Sequence, residues 1–130
     1  MALTREQIDR LSHRIIGAAI EVHRQIGPGL LERAYVECLA HEFRIQGIDF
    51  MRELSIPVIY KGTPLDCGYR LDFLVEREFP LELKTVEHVL PVHEAQVLTY
   101  LRLLDKPLGL LLNFNVPALA KGIHRIANNF

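Results

Sequence analysis

Apolar positions in the first quarter of the chain recur at helical intervals. Ile8, Leu11, Ile15, Ala19, Val22 and Ile26 follow one another at three- and four-residue steps, the spacing that aligns side chains on one face of an α-helix. Thr4 stands where an N-cap is needed and Gly27-Pro28-Gly29 closes the run, so the pattern predicts an amphipathic helix between them. A second helix is predicted directly afterwards, with Leu31, Ala34, Tyr35, Cys38 and Ile45 as its apolar stripe and Gly47 as its stop. Two such helices joined by a short turn bury their stripes by packing as a pair.

From Ile48 the period changes. Short β-branched and aromatic runs predict strands near Leu54–Tyr60, Gly68–Val75 and Phe79–Thr85, with a turn at Lys61-Gly62-Thr63-Pro64. Pro91 opens a third helix carrying Val97, Leu98, Leu101 and Leu104, and Leu108–Phe114 has the continuous apolar character of a fully buried strand. The stretch Gly122–Ala127 fits no single pattern. Helices before, within and after a run of strands predict one α/β domain spanning residues 1–130, a central mixed sheet with helices on its faces.

Composition narrows the function classes. A chain of 130 residues that is 49% hydrophobic and 24% charged has enough apolar side chain for a core, which excludes a disordered tail. Fifteen basic and 16 acidic residues, divided evenly between the two halves, leave no polybasic arm of the kind that drives nonspecific nucleic-acid binding. The start of the chain, MALTREQIDR, lacks an apolar signal core, and the longest charge-free apolar-rich stretch, Pro107–Ala120, is too short to span a bilayer. A cytoplasmic protein is the expectation. Cys38 and Cys67 are too far apart in sequence for a metal knuckle and are expected to be buried, unpaired and small.

The chemistry concentrates in YRLDFLVEREFPLELKT, residues 69–85, where Leu81 and Leu83 alternate with Glu82 and Lys84. Alternation puts the acid and the base on one strand face, a pattern that a half-exposed strand with solvated charges also gives. The preceding strand adds information. A hairpin loop of odd length centred on Arg77 places Asp72 opposite Glu82 and Arg70 opposite Lys84, whereas an even loop would separate the two acids onto opposite faces. Facing carboxylates destabilise a sheet unless they share a cation. With no Cys or His set nearby, such a pair suits Mg²⁺ or Mn²⁺, and Lys84 would stand beside the bound water or an anionic substrate.

These residues resemble the PD-(D/E)XK nuclease superfamily, and within it the GxxExxY branch. Gly29, Glu32 and Tyr35 match the GxxExxY signature, Asp72 the first acidic position, Glu82-Leu83-Lys84 the ExK motif, and Gln96 with Tyr100 the QxxxY motif of RecB-like members. Leu71 replaces the proline of the superfamily name. The resemblance covers most of the chain and implies a restriction-endonuclease-like core that hydrolyses DNA with Mg²⁺ or Mn²⁺. It makes Asp72, Glu82 and the Leu83 carbonyl metal ligands, with Glu32 completing the shell, and gives Lys84 the role of orienting water and offsetting transition-state charge. Gln96 and Tyr100, four apart on one helix face, would border the site; a Tyr packed in the core beside a boundary Gln is the structural alternative.

Other side chains carry less. His88 and His93 flank the start of the third helix and are expected to be solvated, and His13, His23, His41 and His124 have no zinc-hydrolase spacing. A catalytically silent module that binds nucleic acid or protein is the alternative function, and a small-molecule phosphohydrolase is a third. Duplex cleavage by a single small domain implies a homodimer, for which any unburied part of Pro107–Ala120 is the expected interface.

Overall fold

The computed structural model describes residues 2–130. Its first helix, α1 (Arg5–Ile26), begins with the reciprocal cap that Thr4 makes possible: Thr4 Oγ1 accepts the Gln7 N–H at 3.2 Å and Gln7 Oε1 accepts the Thr4 N–H at 2.8 Å. Gly27, at φ 66°, ends the helix, and α2 (Glu32–Ile45) follows after four more residues. The two helices pack together on one face of a five-stranded sheet.

The sheet is built from β1 (Phe50–Ser55), β4 (Arg70–Val75), β5 (Phe79–Lys84), β6 (Leu108–Asn113) and β7 (Ile123–Ala127), in the order β1-β4-β5-β6-β7. Two further short strands, β2 (Val58–Tyr60) and β3 (Thr63–Leu65), form a separate ribbon whose turn, Lys61-Gly62, has positive φ at both residues, as a two-residue hairpin demands. Pairing is antiparallel except between β5 and β6. That parallel pair needs a crossover, which α3 (Pro91–Leu104) supplies on the face opposite α1 and α2.

Gly109 lets α3 lie close to the sheet. A Cβ there would sit 3.0 Å from the Pro80 carbonyl oxygen and 3.1 Å from Leu101 Cδ2, so a larger residue would force the helix away. The result is the expected α/β architecture, a mixed sheet between helical layers. Among the described residues, no helix is long and apolar enough to cross a membrane.

Several local expectations are corrected. Leu31 is 81% exposed and Ile45 65%, because the inward arc of α2 runs through Tyr35, Val36, Leu39, Ala40 and Phe43; Leu31 precedes the helix as its N-cap and Ile45 lies in its last turn. The expected strand Leu54–Tyr60 divides at Ile56-Pro57, where Ile56 leaves β1 to donate its N–H to the Tyr69 carbonyl at 2.9 Å and proline has no N–H for a ladder. Cys67 is exposed in the loop before β4, and Cys38 is half-buried; both are free thiols. Leu108–Phe114 is wholly buried, so the part of Pro107–Ala120 with the strongest apolar character belongs to the core and offers no surface to a second copy.

Candidate active site

The β4–β5 loop is Glu76-Arg77-Glu78, and the pairs Val75–Phe79, Leu74–Pro80 and Phe73–Leu81 establish the odd-loop register. Continued by one step, that register sets Asp72 opposite Glu82. There the ladder gives way to side chains. The Asp72 N–H donates to Glu82 Oε1 at 2.8 Å, and the Leu83 N–H donates to Asp72 Oδ2 at 2.8 Å. Each carboxylate therefore satisfies an amide of the other strand, and each retains an oxygen for another partner. Because N–H and C=O of one residue leave an extended strand on the same side, the Leu83 carbonyl also faces β4.

Charge accumulates at this point. Glu82 is only 5% exposed, and burial first, then the Asp72 charge, pushes its carboxyl up to about 8. Burial raises Asp72 as well, against the Leu83 N–H and the Lys84 charge, which pull it down. Lys84 Nζ stands 4.0 Å from Glu82 Oε2. Glu32, in the first turn of α2, is raised by its own partial burial and by Asp72 and is lowered by Lys84, so it belongs to the same electrostatic cluster.

Local folding explains how Glu32 comes to this position. The Tyr35 side chain is fully buried, and its hydroxyl donates to the Gly27 carbonyl at 2.6 Å while accepting the Leu30 N–H at 3.2 Å. This closes the Gly27–Leu30 turn, in which Gly29 has φ 104°. The Tyr35 ring stacks on Phe114 with centroids 4.6 Å apart, and the Phe114 N–H donates to the Lys84 carbonyl at 2.9 Å. One chain of contacts thus links the start of α2 to the end of β5. Gly29 and Tyr35 shape the turn, and Glu32 follows it in the first turn of α2.

On the other helical face, Gln96 Nε2 donates to the Tyr100 hydroxyl at 2.8 Å. Tyr100 is buried, and its phenol is pushed up to about 12 by burial and then by the negative charges of Glu82 and Asp72. The core reading of Tyr100 holds, since it packs with Ile56, Leu71 and Leu74, and its hydroxyl lies within electrostatic range of Glu82 and Asp72.

Three contributors escaped sequence reasoning. Arg52 of β1 forms a two-pronged ion pair with Glu37 of α2, at 3.2 and 2.6 Å, and its charge reaches Asp72. Glu53 sits opposite Asp72 between the pairs Arg52–Phe73 and Leu54–Leu71, at φ 52°, a left-handed conformation that costs a non-glycine residue roughly 1 to 2 kcal/mol. With Glu32, Arg33, Val36, Arg52 and Asp72 it lines a cleft of about 150 Å³. Asn113 accepts the Val86 N–H at 3.1 Å and donates to the Val86 carbonyl at 2.8 Å, fixing the loop that leaves Lys84. The insertion of β2 and β3 between β1 and β4 hid the register that brings Arg52 and Glu53 here. Asn113 gave no signal within an apolar run.

Of the two loop histidines, His88 is exposed, whereas His93 Nδ1 accepts the Leu90 N–H at 3.0 Å and caps α3. Among the described residues, no three His, Cys, Asp or Glu side chains converge as a ready metal cage. Asp72 and Glu82 each direct one oxygen to an amide, and Glu32 approaches from a separate element. The donor set nevertheless fits a hard divalent cation: one buried carboxylate, Glu82, and two half-buried ones, Asp72 and Glu32, each raised by burial and then by a neighbouring carboxylate whose repulsion a cation would relieve.

Searches of curated proteins and of solved structures found no match. Residues 9–126, nearly the whole chain, match the profile of the PD-(D/E)XK nuclease superfamily. Asp72 within β4 and Glu82-Leu83-Lys84 on the strand paired beside it supply the acid and the E-x-K residues that the superfamily's name abbreviates, and this chain belongs to that superfamily.

Proposed function

We propose that the protein is a metal-dependent phosphodiesterase acting on DNA in the cytoplasm, and that it represents the GxxExxY branch of its superfamily. The reciprocal bonding of Asp72 and Glu82 beside Lys84 carries this reading. Asp72, Glu82, the Leu83 carbonyl and Glu32 would hold Mg²⁺ or Mn²⁺. Such an ion supplies Lewis acidity, acidifying water and neutralising charge on the phosphoryl oxygens.

The remaining work falls to the chain's own groups. Lys84 is a compact charge able to orient an attacking water and to offset the negative charge that grows as the water oxygen bonds to phosphorus and the leaving P–O bond breaks. Tyr100, kept protonated, accepts from Gln96 and retains its own O–H to donate to a phosphate oxygen. Direct attack by water needs no nucleophilic side chain. A single copy presents one such site, so cutting both strands of a duplex would require two copies around a two-fold axis.

A second reading, a silent nuclease-fold module, draws support from the same hydrogen bonds, since both carboxylates already serve as structural acceptors. The test is calorimetric titration with Mn²⁺ together with cleavage of single-stranded, duplex and branched DNA by wild type and Asp72→Asn. Cleavage that requires the ion and vanishes in Asp72→Asn supports the enzyme. A wild type that cuts none of these DNAs, and binds Mn²⁺ no better than the variant, overturns it in favour of the silent module.

A further inference from the structure

A cavity of about 320 Å³ opens on the α3 side of the acid pair, lined by Tyr69, Val92, Ala95, Gln96, Thr99 and Tyr100. None of the functions assigned above uses its outer wall. Tyr69 is 42% exposed, and its ring meets Tyr100 edge to face with centroids 6.2 Å apart. Its backbone is fixed where β4 begins, because the Tyr69 carbonyl accepts the Ile56 N–H at 2.9 Å. Asp72 lies three residues further along the same chain segment. Tyr100 lines the cavity and lies within electrostatic range of Glu82 and Asp72, so the cavity adjoins the carboxylates through Tyr100.

The lining selects the occupant. It contains no Lys, Arg or His to bind an anion and no Asp or Glu to bind a cation. It offers an exposed aromatic face, small apolar groups from Val92, Ala95 and Thr99, and the side-chain carbonyl of Gln96, whose amide N–H is engaged by Tyr100. A flat ring with hydrogen-bonding edges matches those surfaces, and stacking on an aromatic side chain tolerates any base. Resting on the phosphodiesterase reading for the position of the phosphate, we infer that this cavity receives the unstacked nucleobase of the nucleotide adjoining the phosphate at the carboxylates. A base can enter only after leaving its stack, so single-stranded DNA or a frayed end is the preferred substrate.

The test uses short single-stranded oligonucleotides that carry 2-aminopurine at successive positions, bound in Ca²⁺, and matched oligonucleotides with one abasic nucleotide at each position, cut in Mg²⁺ or Mn²⁺. Wild type and Tyr69→Phe should change the fluorescence of one 2-aminopurine position and should cut the oligonucleotide abasic at that position about tenfold more slowly than the intact one. Tyr69→Ala should lose the fluorescence change and cut intact and abasic DNA at the same reduced rate, with an unaltered melting temperature showing that it folds. Cleavage by wild type that ignores both the abasic position and Tyr69→Ala overturns the base site and leaves the phosphodiesterase standing. Fluorescence that depends on Tyr69 without any cleavage overturns the phosphodiesterase and keeps the base site. Neither signal overturns both.

Discussion

Asp72 and Glu82 hold the open end of the β4–β5 pair together with their side chains: the Asp72 N–H is bonded to the Glu82 carboxylate and the Leu83 N–H to the Asp72 carboxylate, both at 2.8 Å. Two acids that repel each other are placed where each also satisfies a partly buried amide. Stability and charge therefore oppose one another at the same atoms, which separates the effects of amide and alanine substitutions.

Asp72→Asn and Glu82→Gln keep a carbonyl oxygen for the amide; the first removes a half-buried charge, and the second replaces a carboxyl that holds its proton up to about pH 8. Both variants should be as stable as wild type or more so, with Mn²⁺ binding abolished. Asp72→Ala and Glu82→Ala leave an amide without its acceptor and should lose about 1 to 3 kcal/mol. Urea denaturation of the four variants measures the contrast, and equal losses for amide and alanine variants would contradict it.

Lys84→Ala removes a positive charge near Glu82 while sparing the carboxylates. Mn²⁺ should still bind, and cleavage should fall by about 10²-fold, the usual scale for one electrostatic stabiliser. Loss of metal binding in this variant would place Lys84 in a structural role.

The raised Glu82 carboxyl makes metal-free stability depend on pH with a definite sign. Between its ordinary value of 4.5 and its folded value of about 8, the folded protein holds a proton that the unfolded chain releases, so this group's contribution to stability falls as pH rises through that window. Melting temperatures measured from pH 5 to pH 8.5 should decline more steeply for wild type than for Glu82→Gln. Added Mn²⁺ should recover stability most at the alkaline end. Parallel profiles for the two proteins would show that Glu82 titrates normally.

Gly109→Ala tests the seating of α3. Its new methyl group would stand 3.0 Å from the Pro80 carbonyl oxygen and 3.1 Å from Leu101 Cδ2, an overpacking expected to cost about 1 to 3 kcal/mol. Because Gln96 and Tyr100 ride on this helix, cleavage should fall further than the loss of folded protein explains. Thermal melts and rates corrected for the folded fraction would check both effects.

The sequence by itself determined the elements whose signals are local. The Thr4 cap, the Gly-Pro-Gly stop, the Pro91 start and the apolar run at Leu108 act within a few residues, and each marks a boundary the structure keeps to within a residue or two. Glu82 and Lys84 were legible because alternation is a property of one strand, and Asp72 joined them because a tight hairpin fixes register through loop length alone. Other features depended on partners distant in the chain. Which arc of α2 faces inward was decided by the sheet beneath it, so Leu31 and Ile45 ended outside despite their apolar side chains. Arg52 and Glu53 reached the acids only through a β1–β4 register set across an intervening ribbon, and Tyr35 acquired its meaning from the Gly27 carbonyl and the Phe114 ring. Periodicity records which face a residue occupies on its own element; what that face meets is fixed by long-range packing, which no local pattern encodes.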